Sequence, residues 1–145
     1  MRLTAKTGLV TLLLVAVLST ALTAAAARPA AAPTKTIASF CSSSGDVCYG
    51  IFNASGKVIL RITTAARYFG RYTLCVRLLP PLSDAEHARR CGSSPVFRQA
   101  GSAWGSTIRY ARQFPVNRPG RYRVTWNLSS GTSLGRPLYF RLPLH

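Results

Sequence analysis

The strongest constraint in this sequence is an alternation of apolar and polar residues that returns in four separate segments. In Lys57–Thr64, Val58, Leu60 and Ile62 share one side while Ile59, Arg61 and Thr63 share the other. In Arg71–Leu79, Tyr72, Leu74, Val76 and Leu78 lie opposite Arg71, Thr73, Cys75 and Arg77. In 121–128, Tyr122, Val124, Trp126 and Leu128 lie opposite Arg121, Arg123, Thr125 and Asn127. Leu138, Phe140 and Leu142 repeat the pattern against Tyr139 and Arg141. A period of two belongs to a β-strand with one face buried and the other wet. Shorter strand candidates are 47–52, 96–99 and 107–113, with turn residues at 53–56, 119–120 and 129–135. About seven short strands joined by turns predict an all-β chain folded as an antiparallel β-sandwich. Ser83 and Glu86 stand at capping-box spacing and predict a single-turn helical connector over 83–90.

The first 27 residues read as an address and not as part of that fold. A basic start (Arg2, Lys6), an apolar stretch over 9–24 and small residues around Ala25 and Ala27 make a secretory signal peptide. Cleavage is expected after Ala27, because a cut after Ala32 would set Pro33 directly behind the scissile bond. An uncleaved membrane anchor is the rival reading, since about 20 apolar residues can span a bilayer. Residues 28–36 read as a Pro/Ala-rich linker, which leaves 37–145 for a disulfide-linked domain. Cys41, Cys48, Cys75 and Cys91 all follow the leader. An even number of cysteines in an exported chain predicts two disulfides, with three connectivities open; local pairing as Cys41–Cys48 and Cys75–Cys91 is preferred. The spacings lack the close pairs of a zinc module.

The segment Pro119-Gly120-Arg121-Tyr122-Arg123-Val124-Thr125-Trp126 resembles the P-G-x-Y-x-V-x-W strand late in immunoglobulin-like extracellular domains. Together with Ser133-Leu134-Gly135 and Leu138-Tyr139-Phe140 it is similar to the last hairpin of the CopC-type copper-binding sandwiches. The stretch 48–144 also resembles small secreted proteins of actinobacterial type. The likeness implies an immunoglobulin-like sandwich. Copper would follow from the CopC likeness, but copper needs imidazole, thioether or carboxylate ligands in fixed geometry. The chain offers only His87 and His145, its one methionine, Met1, lies in the leader, and no cofactor or metal is expected.

Groups that could run acid–base chemistry are scarce. Asp84, Glu86 and His87 form the one acidic-plus-imidazole cluster, and they read as a polar connector with acids near a helix N-terminus. Gly131-Thr132-Ser133-Leu134-Gly135 matches the G-x-S-x-G pattern of serine hydrolases, which needs a strand-to-helix turn. Here it lies between two strand patterns with no acid after it, so a hairpin turn accounts for both glycines. Asn53-Ala54-Ser55 and Asn127-Leu128-Ser129 match glycosylation sequons and read as turn and strand-end residues. No catalytic centre is expected.

Charge is the feature that stands out: 19 Lys+Arg against 3 Asp+Glu, a net +16. If the strands at 71–79, 121–128 and 136–142 share a sheet, its outer face gathers Arg71, Arg77, Arg121, Arg123 and Arg141 around Tyr139. Like charges opposed across strands repel, and the guanidinium fork suits phosphate and carboxylate. The expectation is a non-catalytic domain docking on an anionic cell-envelope polymer, such as teichoic acid or phospholipid headgroups. An arginine-rich composition also arises from codon usage alone, and an exposed face has to be polar in any case. Nucleic acid offers phosphates too, but neither a stacking platform nor a recognition helix points to it. A secreted protease inhibitor is the alternative. Trp104-Gly105, Tyr110 and Phe114 resemble the late strand of the Streptomyces subtilisin inhibitors, and the 78–83 loop (LLPPLS) is proline-rigidified. The cysteine spacings differ from that family, so no reactive-site residue carries over.

Overall fold

The computed structural model describes residues 33–79, 89–114 and 118–145. The strands are β1 (Thr34–Cys41), β2 (Val47–Ala54), β3 (Lys57–Thr64), β4 (Arg71–Leu79), β5 (Arg90–Pro95), β6 (Phe97–Arg98), β7 (Trp104–Arg109), β8 (Gly120–Leu128) and β9 (Leu138–Leu142). One helical turn, α1 (Tyr110–Gln113), follows β7. A five-stranded sheet runs β1-β2-β3-β7-β6, and a four-stranded sheet runs β5-β4-β8-β9. Every pairing is antiparallel. The chain is an all-β sandwich, as the alternation predicts, with nine strands among the described residues where about seven were expected.

The core comes from the alternating residues of both sheets. Tyr49, Ile51, Leu60, Ile62 and Ile108 of the larger sheet face Tyr72, Leu74, Tyr122, Val124 and Trp126 of the smaller one, all buried. The Trp126 and Tyr49 rings stack between the sheets at 4.4 Å. Tyrosine hydroxyls fasten this layer. Tyr49 donates to the Arg136 carbonyl oxygen at 2.7 Å, and Tyr122 to that of Arg118 at 2.6 Å. The Tyr72 and Ser106 hydroxyls lie 2.7 Å apart and join β4 to β7. A phenol buried without such a partner would be destabilising, so these bonds permit large rings in a thin core.

The disulfides are Cys41–Cys48 and Cys75–Cys91, the local pairing. Each joins residues directly opposed on neighbouring strands, β1 with β2 and β4 with β5. Two disulfides fit an oxidising compartment.

Three sequence expectations need correction. The linker expected over 28–36 ends earlier, because Thr34, Lys35 and Thr36 already pair with Ala54, Asn53 and Phe52. The register of β1 slips between Thr36 and Ala38, a bulge that lets Ile37 and Ala38 both pack against the core. That slip breaks the alternation by which the strand would have been recognised. The strand expected over 107–113 stops at Arg109. Continued as a strand, the chain would send Arg112 inward between Tyr110 and Phe114. A helical turn instead stacks Tyr110 and Phe114 at 5.9 Å in the core and leaves Arg112 exposed. The candidate at 96–99 shrinks to β6, because Val96 is buried where the chain passes from one sheet to the other. Arg90, the last residue of the expected helical connector, begins β5; residues 83–88 of that connector, most of the LLPPLS loop, the Asp84–Glu86–His87 cluster and the leader lie outside the described residues.

Candidate anion-binding face

Strands β4, β8 and β9 are neighbours in one sheet, and their register decides which outward residues meet. Arg77 stands opposite Arg123, which stands opposite Tyr139. In the next row Leu79, Arg121 and Arg141 are aligned. Four of the arginines singled out from the sequence, and the tyrosine among them, therefore form a contiguous group. Arg71 stands apart, six residues from Arg77 along β4, or about 20 Å at the usual strand rise. Its Nε donates to Ser93 Oγ at 3.0 Å, so it braces β5.

Two arginine–arginine oppositions, Arg77–Arg123 and Arg121–Arg141, put like charges on the same face, each destabilising by on the order of 0.5 kcal/mol. Part of the strain is relieved locally: the Arg121 guanidinium lies over the Tyr139 ring at 4.4 Å, a cation–π contact. Acid relieves none of it within the described residues. Their one acidic side chain is Asp46, in the β1–β2 turn of the other sheet.

Sequence reasoning missed Arg89. It fell within the segment read as a helix, yet its Nη2 lies 3.7 Å from Cys75 Sγ, beside the second disulfide. Its position two residues before Cys91 was the available signal, because that cystine ties β5 to β4. Towards the β8–β9 connection the outward rows become uncharged. Cys91, Cys75 and Thr125 are aligned, and beyond them Ser93, Thr73, Asn127 and Ser133 form a polar row across four segments. All of these but Ser93, with Arg89 and Arg123, line a basin of about 490 Å³.

Other candidates resolve as structure. Ser133 lies in the β8–β9 connection and its hydroxyl donates to the Gly135 carbonyl oxygen at 2.6 Å, in a turn and not a strand-to-helix elbow. No group of three or more His, Cys, Asp or Glu among the described residues is placed to hold a metal ion. The buried phenols are held neutral. Burial pushes Tyr49 up to about 12 against the opposing pull of Arg136, and burial also raises Tyr72, Tyr110 and Tyr122. What the smaller sheet offers chemically is fixed positive charge beside hydroxyls and an amide, which suits binding. Comparison with protein-family models, with curated proteins and with solved structures finds no match to this chain.

Proposed function

We propose that this protein is a secreted, non-catalytic binding domain that docks on an anionic polymer of the cell envelope through the outer face of β4, β8 and β9. The observation carrying this reading is the contiguous group of Arg77, Arg121, Arg123 and Arg141 on one rigid sheet face. Arginine forks on strands are preorganised for phosphate or carboxylate. An anionic chain laid across the face would also relieve the repulsion between Arg121 and Arg141. Secretion is supported by the leader-like first 27 residues and by two disulfides.

The domain is immunoglobulin-like in this reading. Calling β2, β3, β4, β5, β6, β7, β8 and β9 by the letters A, B, C, C′, D, E, F and G makes the sheets A-B-E-D and C′-C-F-G, with β1 added at the edge. The Tyr122 hydroxyl bond to the Arg118 carbonyl oxygen, at the entry to β8, matches the tyrosine corner of that fold.

Oxidised protein beginning at Arg28 is mixed with isolated cell envelopes across a salt series, with an unrelated secreted protein of matched size and charge as control. Retention at salt that strips the control is expected. The variant carrying Arg121→Ser, Arg123→Ser and Arg141→Ser loses it. Release together with the control overturns the reading.

A further inference from the structure

The arginine group and the polar basin meet at Arg123, and together they specify more than negative charge. On one side of Arg123 lie the cation rows of Arg77, Arg121 and Arg141; on the other lie Thr125, Asn127, Thr73 and Ser133. Arg89 closes the basin beside the second disulfide. The hydroxyls and the amide stand in register with one another, directly beside the cations. Hydroxyl and amide groups recognise partners that both donate and accept hydrogen bonds, which a bare phosphate chain does not do. Asn127 Nδ2 donates to Thr125 Oγ1 at 3.4 Å, which leaves the Thr125 hydroxyl proton and the Asn127 carbonyl oxygen to face a ligand. The basin's volume of about 490 Å³ lies within the usual range of ligand clefts.

We infer that the basin takes the polyol part of a phosphodiester-linked polyol chain while Arg123, Arg121 and Arg141 hold its phosphates. This rests on the anionic-polymer reading above and narrows its ligand from any polyanion to one carrying free hydroxyls. Arg121 to Asn127 spans six residues of β8, about 20 Å of extended strand. The ligand is therefore an oligomer of several units, and a single polyol phosphate reaches only one end of the site.

The test compares a short poly(glycerol phosphate) oligomer with inorganic polyphosphate of equal charge, titrated against fluorescently labelled, oxidised protein at two salt concentrations. The wild-type chain is expected to bind the glycerol phosphate oligomer at least fivefold more tightly, with the preference growing as salt rises. Monomeric glycerol phosphate fails to compete at equal phosphate concentration. Thr73→Val with Thr125→Val, which keeps β-branched residues in both strands, abolishes the preference and leaves polyphosphate binding unchanged. Equal affinity of wild-type protein for the two probes overturns the inference without any variant. If both probes are then lost together in the Arg121, Arg123 and Arg141 triple variant, the arginine-face reading stands alone. If neither probe is held above the charge-matched control, both readings fall.

Discussion

The outer faces of the two sheets carry the same fastening and opposite chemistry. Each has a cystine joining directly opposed residues of adjacent strands. Around Cys41–Cys48 a groove of about 250 Å³ is lined by the outward Phe52 and Arg61 with Thr36, Ser39 and Thr63, and by the core-packed Phe40 and Tyr49. Arg61 there lies over the Phe52 ring at 5.0 Å and faces Gly50 across the strands. Around Cys75–Cys91 the surroundings are Thr73, Thr125, Arg89 and Arg123. Arg61 is placed against a ring, and so is Arg121, over Tyr139; what sets the second face apart is that Arg121 and Arg123 each stand opposite another arginine. Net charge alone does not reveal this difference, because both faces contribute to it.

The largest effect expected is one to which the outer faces contribute nothing. A phenol whose folded-state pKa is raised is deprotonated first in the unfolded chain. Its share of stability is whole below about pH 10 and is lost as pH climbs through the folded-state value, about 12 for Tyr49. Tyr72, Tyr110 and Tyr122 shift in the same direction, so alkaline unfolding followed by tyrosinate absorbance is steep. In 1 M salt, where surface charge is screened, Arg123→Thr leaves its midpoint unmoved; a midpoint that follows the substitution there would show that the outer face couples to the core.

Next come the cystines. Replacing Cys75 and Cys91 by Ser removes the closure with sequence separation 16 and lowers stability by about 3 kcal/mol in the chain-entropy model. Replacing Cys41 and Cys48, at separation 7, lowers it somewhat less. Urea unfolding of the two double variants ranks them, and the reverse ranking would place the tighter constraint in the aromatic sheet.

Gly105 faces outward on β7 opposite Thr63, and a Cβ there would run into the Ile62 carbonyl oxygen. Gly105→Ala is expected to destabilise by about 2 kcal/mol, whereas Thr125→Ala on the opposite sheet changes stability by about 0.5 kcal/mol or less. Thermal melting of the pair tests whether the aromatic face is the tightly fitted one.

The smallest effect separates the faces most sharply. Arg123→Thr removes an arginine opposed to Arg77 and is expected to stabilise by about 0.5 kcal/mol at low ionic strength, an advantage that fades in 1 M salt. Arg61→Thr gives up the contact with Phe52 and stabilises at neither salt concentration. Identical salt responses in the two variants would erase the contrast.

Legibility followed physical regularity. β3 and β4 take the bounds that the alternation predicts, β8 begins one residue earlier, and β9 begins at Leu138 where a strand over 136–142 was expected, because each has an uninterrupted wet face and dry face. β1 was illegible because its bulge at Ile37 resets the alternation. β5 was illegible because Arg-Cys-Gly-Ser-Ser-Pro has no apolar pattern, being an edge strand held by its partner and a cystine. The outward arginines of β4, β8 and β9 could be named from alternation, whereas Arg89 and the row of Ser93, Thr73, Asn127 and Ser133 could not. Those four residues come from four separate segments and meet only through register.

What the sequence determined by itself was local: which residues of the alternating segments face in, that four cysteines could form two disulfides, and how much charge the surface must carry. Alternation and loop length act over a few residues, so a single chain segment displays them. The tertiary structure decided which outward residues become neighbours, and with that the separation of Arg71 from the other arginines and the joining of Arg123 to a hydroxyl-lined basin. Register between strands far apart in the chain is set by the joint packing of both sheets, because a slip of one residue would turn an entire buried face to water.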